Sequence, residues 1–192
     1  NLRLGATATL DDVAHLGEDR DEPYPVTVPD AGEPAAVLFT SGSTGPPKGA
    51  VYTHAHFNAQ VEALRAAYGI EPGEVDLCTF PLFALFAPAL GMSSIVPDMD
   101  PTRPAEADPR KILQAVEDWG VTNLFGSPAL LNTVGRWGEQ HGTKLPTVRR
   151  VISAGAPIPA AVMERFAKLL PAGVQVWGGY GATEALPVAT LG

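Results

Sequence analysis

Thr40-Ser41-Gly42-Ser43-Thr44-Gly45-Pro46-Pro47-Lys48-Gly49 follows the apolar run Ala35-Ala36-Val37-Leu38-Phe39, which reads as a buried strand. Glycines at 42, 45 and 49 let the backbone turn tightly and bring its N–H groups close to a ligand. Thr40, Ser41, Ser43 and Thr44 supply hydroxyls, and Lys48 supplies a positive charge. The combination suits a polyphosphate. It is not a Walker A loop: counted from Gly42, that pattern needs Gly at 47 and Ser or Thr at 49, whereas the chain has Pro47 and Gly49. A solvated Gly/Ser linker is the alternative, but a linker has no need of two prolines and a lysine.

Composition narrows the partners. The 192 residues suit one domain or slightly more, and 45% are hydrophobic, enough for a packed core. The formal net charge of −8 argues against a nucleic-acid partner and repels polyanions at long range. Binding a polyphosphate must then rest on local donors, on Lys48 and on a bound cation. The single cysteine, Cys78, excludes an internal disulfide and fits a reducing compartment, so a cytoplasmic location is expected. The most apolar stretch, residues 80–97, is interrupted by Pro81, Pro88, Gly91 and Pro97. It reads as a buried strand, a short helix and another strand rather than as a membrane span.

From residue 35 onward, strands and helices alternate. The spacing of Phe57, Val61, Leu64 and Tyr68 predicts a helix over 54–68, capped by Thr53 and stopped by Gly69. A second helix is expected over 109–119, with Asp108 as cap and Pro109 in its first turn. Ser127-Pro128 opens a third, and Pro159 a fourth. Short strands are expected at 75–80, 94–96, 121–125, 148–152 and 174–177. The alternation predicts an α/β fold: a layered, largely parallel sheet with crossover helices. Ligands in such sheets sit beyond the carboxyl ends of the strands. The loop at 40–49 and two further motifs are expected there.

Those two motifs are Tyr180-Gly181-Ala182-Thr183-Glu184 and Ser153-Ala154-Gly155-Ala156-Pro157. Together with the loop at 40–49 they resemble, in order and spacing, the signatures of the adenylate-forming enzymes: acyl-CoA synthetases, luciferases and peptide-synthetase adenylation domains. The resemblance covers about residues 35–190. It implies that Thr40, Ser41, Gly42, Ser43, Thr44, Gly45 and Lys48 bind the ATP phosphates. It further implies that Gly155, Ala156, Pro157, Tyr180 and Gly181 hold the adenine of ATP or AMP, and that Thr183 contacts the α-phosphate. Glu184 then holds Mg²⁺, an ion that favours one or two carboxylates plus phosphate oxygens. Lys48, Thr183 and Glu184 are the expected catalytic residues. The structural alternatives are a glutamate in the first turn of a helix for Glu184, a core tyrosine for Tyr180 and a plain strand-to-helix turn for 155–157.

The segment Phe80-Pro81-Leu82-Phe83-Ala84-Leu85-Phe86-Ala87-Pro88-Ala89-Leu90-Gly91 departs from the common family pattern, which has a histidine near Ala84. At least half of it is expected in the core, and the rest could line an apolar tunnel. With Glu184-Ala185-Leu186-Pro187 it is similar to the olefin-biosynthesis branch of the family. That likeness implies adenylation of a long-chain 3-hydroxy acid and closure of a β-lactone. A long-chain acyl-CoA ligase using coenzyme A is the competing enzyme, and a non-catalytic ATP/AMP-binding module the competing class. Residues 1–34 carry no usable signature and are expected to form an exposed lead-in. Residues 35–192 are expected to be the central part of the large N-terminal domain. The family's ribose aspartate, hinge and small C-terminal domain with its lysine have no counterpart here, so this stretch alone is expected to be inactive.

Overall fold

The computed structural model describes residues 8–18, 23, 25–40, 45–81, 84 and 86–192. Residues 1–30 and 31–192 form two separate compact units. The first contains helix α1 (Leu10–Glu18). Its start is fixed by Thr9, whose hydroxyl accepts from the Asp12 N–H while the Asp12 carboxylate accepts from the Thr9 N–H. That reciprocal cap is a sequence signal for a helix start, within a segment expected only as an exposed lead-in; every residue of α1 is exposed.

In the second unit, β1 (Pro34–Phe39) and β2 (Gly49–Thr53) form an antiparallel pair. They are followed by α2 (His54–Tyr68), β3 (Val75–Cys78), the short α3 (Phe86–Ala89) and β4 (Ser93–Ile95). Then come α4 (Pro109–Trp119), β5 (Asn123–Phe125), α5 (Pro128–His141), β6 (Arg150–Ser153), α6 (Ala160–Ala167), β7 (Val176–Ala182) and β8 (Ala185–Leu191). The main sheet has the order β4-β3-β5-β6-β7-β8. All its pairings are parallel except β7 with β8. The expected α/β architecture with a largely parallel sheet is therefore observed.

Helix boundaries fall where capping chemistry puts them. Thr53, Asp108 and Ser127 accept N–H bonds from the first turns of α2, α4 and α5. Gly69, Gly120 and Gly142 close the same three helices in the left-handed conformation. Alternate residues of the strands face opposite sides. Val151 and Val176 join Leu77, Leu124, Ile112, Leu130, Leu131 and Phe166 in the larger core, formed with α4, α5 and α6. Ile152 and Trp177 turn to the other face, where Tyr68, Ile70, Ala87, Leu90 and Met92 of the α2–α3 region cover the sheet. Each fully buried aliphatic or aromatic side chain here is worth about 1.5–3 kcal/mol.

Three expectations are corrected. The run 35–39 is not a buried strand: Val37 and Phe39 are exposed, because among the described residues β1 pairs with no strand but β2 and is not part of the main sheet. The loop at 40–49 therefore follows a strand of a hairpin, not of the parallel sheet. Among the described residues the expected strand at the start of 80–97 is absent, because β3 ends at Cys78 and the chain bends at Thr79-Phe80. The last strand does not end at Trp177 but runs through Ala182 and turns back as β8. Among the described residues no helix is long and apolar enough to cross a membrane.

Candidate active site

The ends of the loop are pinned together. The Thr40 N–H donates to the Lys48 carbonyl at 2.9 Å, and the Lys48 N–H donates to Thr40 Oγ1 at 3.2 Å. The β1–β2 ladder continues below this neck, with Phe39 opposite Gly49. Gly49 leaves room across the strands: a Cβ there would come within 2.8 Å of Val37 Cγ1, so a larger residue would force the Val37 side chain to move. Gly45 has φ of 152°, a backbone state that favours glycine. Lys48 is exposed and makes no ion pair among the described residues. Ser41, Gly42, Ser43 and Thr44 lie outside the described residues, as do Leu82, Phe83 and Leu85.

The second motif follows β6. Gly155, with φ of 91°, turns the chain out of the sheet, and Gly155, Ala156 and Pro157 are exposed. The third motif is adjacent, because Ser153 of β6 pairs with Gly178 of β7. A Cβ on Gly179 would lie 3.5 Å from that of Ala154, so the two segments run in close contact. Tyr180, in β7, is 71% exposed, which rules out the core-tyrosine alternative and leaves its ring open to stack on a ligand. Gly181 is close-packed against the returning strand: a Cβ there would lie 2.9 Å from the Ala185 carbonyl oxygen.

Thr183 and Glu184 form the turn between β7 and β8. No helix begins there, so the helix-terminus alternative for Glu184 falls away. Its carboxylate is exposed and makes no ion pair among the described residues. Tyr52 brings this turn to the loop. Its hydroxyl donates a 2.5 Å hydrogen bond to the Thr183 carbonyl. A groove of about 450 Å³ runs between Ala50-Val51-Tyr52 on one side and residues 184–187 on the other. Gln60 of α2 lines it too and donates from Nε2 to the Leu186 carbonyl at 2.9 Å. Tyr52 and Gln60 were missed in the sequence; the only signal was the β-forming run Ala50-Val51-Tyr52 directly after the loop.

No cluster of three His, Cys, Asp or Glu exists among the described residues. Cys78 is buried. Burial, then the nearby Asp76 charge, pushes its thiol up to about 12. Of the apolar segment, Ala87 and Leu90 are core and Ala84 is half-buried.

A family model described as AMP-binding enzyme matches residues 3–192. The chain belongs to the AMP-binding enzyme family. Among curated members, the olefin beta-lactone synthetase of Stenotrophomonas maltophilia is 57% identical over 162 residues, covering 84% of this chain and 29% of that protein. The olefin beta-lactone synthetase of Xanthomonas campestris is 58% identical over 161 residues, covering 84% and 28% respectively. The chain thus spans under a third of the length of these AMP-binding relatives. Among solved structures, the N-terminal domain of FACL13 from Mycobacterium tuberculosis superposes with a TM-score of 0.72 at 24% identity. That match covers 91% of this chain and 43% of the other, and supports the fold.

Proposed function

We propose that this chain is part of an ATP-dependent adenylate-forming ligase that activates a long-chain 3-hydroxy acid and closes it to a β-lactone. The observation that carries the reading is the seating of the Thr183-Glu184 turn against β2, the strand that leaves the loop at Lys48. The likeness to two olefin beta-lactone synthetases supports the product class.

Adenylation brings two anions together and builds charge on a leaving group, so positioning and charge neutralisation do most of the work. In this reading the loop at 40–48 grips the β- and γ-phosphates, and the Lys48 ammonium balances the charge that grows on them. Tyr180 and the 155–157 turn flank the adenine, and Thr183 meets the α-phosphate. Glu184, an exposed carboxylate with no ion pair among the described residues, fits Mg²⁺ held jointly with phosphate oxygens. The ion supplies further neutralisation of the triphosphate when bound. A carboxylate oxygen of the acid attacks the α-phosphorus, the bond to the bridging oxygen breaks, and pyrophosphate leaves. The acid's own 3-hydroxyl oxygen then attacks the activated acyl carbon, gives up its proton to solvent and expels AMP.

The test is product analysis on the intact enzyme with ATP, Mg²⁺ and a long-chain 3-hydroxy acid, without any thiol. The expected outcome is AMP, pyrophosphate and a product lighter than the acid by one water. Turnover only on adding coenzyme A, with a thioester product, would support the ligase instead. Nucleotide binding without pyrophosphate release would support a binding module.

A further inference from the structure

Tyr52 is 5% exposed, yet its hydroxyl serves no partner in its own strand or helix. It crosses to the main-chain carbonyl of Thr183, 131 residues away. The ring is held from behind by Phe57 of α2, stacked at 5.3 Å with 29° between planes. His56 lies edge-on to it at 6.0 Å. One helical turn beyond His56, Gln60 reaches the carbonyl of Leu186, at the other end of the same turn. Its amide oxygen is buried and has no hydrogen-bond partner among the described residues. Such a group is costly, so the single bond to Leu186 is all that the amide gains there.

We propose that Tyr52 and Gln60 are positioning residues: they clamp the 183–186 turn at both ends and hold Thr183 and Glu184 in register with Lys48. This inference rests on the adenylation reading. The geometry gives the clamp a defined path. Lys48 and Tyr52 belong to one continuous run, Lys48 at the loop neck and Tyr52 in the ladder opposite Ala36. Neither side chain touches the nucleotide in this account; each acts through the carbonyls of the turn. The β7–β8 ladder closes the turn at Ala182 and Ala185, and among the described residues β8 pairs with no strand but β7 and lies at the sheet edge, so the two side-chain bonds are what tie the turn to β2 and α2.

Tyr52→Phe removes one oxygen and keeps the ring stacked on Phe57. In the intact protein without nucleotide, amide hydrogen exchange at 183–186 is expected to quicken about five- to tenfold, the weight of one hydrogen bond. Exchange in β6 should stay unchanged. The Mg²⁺ concentration for half-maximal acid-dependent ATP–pyrophosphate exchange should rise several-fold, with the KM for the acid and the melting temperature unaltered. Tyr52→Phe/Gln60→Met should enlarge both effects. Wild-type amide exchange at 183–186 in Tyr52→Phe overturns the clamp. A lowered melting temperature with an unchanged Mg²⁺ requirement reduces it to packing and equally overturns the proposal. A wild-type enzyme with no pyrophosphate exchange would remove the adenylation reading, while the amide-exchange comparison would still decide the clamp.

Discussion

Arg150 and Glu74 meet at 2.6 Å in a buried ion pair, at the end of the parallel sheet opposite the candidate site. The guanidinium also donates to the carbonyls of Tyr68 and Gly69, the last residues of α2 and its cap. One side chain at the start of β6 thereby fixes the far end of the helix that carries Gln60. Glu74 additionally accepts from the Glu71 N–H, so both its oxygens are satisfied.

Burial by itself raises the pKa of Glu74, but hydrogen bonds from Arg150 and the Glu71 N–H outweigh it and hold the group below its ordinary 4.5. A depressed folded value contributes stability that is present above the unfolded value and lost as pH falls through the folded one. Wild-type unfolding free energy should therefore decline as pH drops below about 4.5. Glu74→Gln leaves Arg150 buried and unpaired, at a cost of about 3–5 kcal/mol, and should flatten this part of the acid limb. Chemical denaturation across pH 3–7, roughly the span over which carboxylates titrate, checks both.

Cys78 is buried, donates to Asp76 Oδ2 at 2.7 Å and has its thiol pushed up to about 12. Thiolate is the reactive form, so the native protein should resist iodoacetamide at pH 8. Labelling should begin only where denaturant unfolds the chain. Rapid labelling of Cys78 in the native state would contradict the burial.

Gly181 has no room for a side chain, because a Cβ would press on the Ala185 carbonyl and the Leu186 side chain. Gly181→Ala should cost about 1–3 kcal/mol locally, shift the turn that carries Glu184 and lower pyrophosphate exchange at least tenfold. The melting temperature should change far less, because the hairpin lies at the sheet edge.

Much of the fold was legible because its signals are local. Thr53, Asp108, Ser127, Gly69 and Gly120 mark helix ends by capping chemistry, and the structure has α2 and α4 at the expected residues. The sheet order β4-β3-β5-β6-β7-β8 was not legible, since it depends on pairings between residues far apart in sequence. Nor was the hairpin nature of β1–β2: five apolar residues in a row look the same whether buried or paired along one edge. At the site, Gly49 and Lys48 stood out by the composition of the loop, and the 180–184 motif by its resemblance to the adenylate-forming enzymes. Tyr52 and Gln60 did not, because a hydrogen bond to a distant carbonyl leaves no trace in local pattern.

The central claim is that Glu184 holds the divalent ion against a triphosphate gripped at Lys48. Its most direct test is acid-dependent ATP–pyrophosphate exchange as a function of Mg²⁺, comparing the intact wild-type enzyme with Glu184→Gln. The account predicts a loss of about 10²–10³-fold in exchange for Glu184→Gln, in the range of deleting one transition-state charge contact, with the fold intact by melting temperature. Mg²⁺-dependent exchange at the wild-type rate in Glu184→Gln would contradict it.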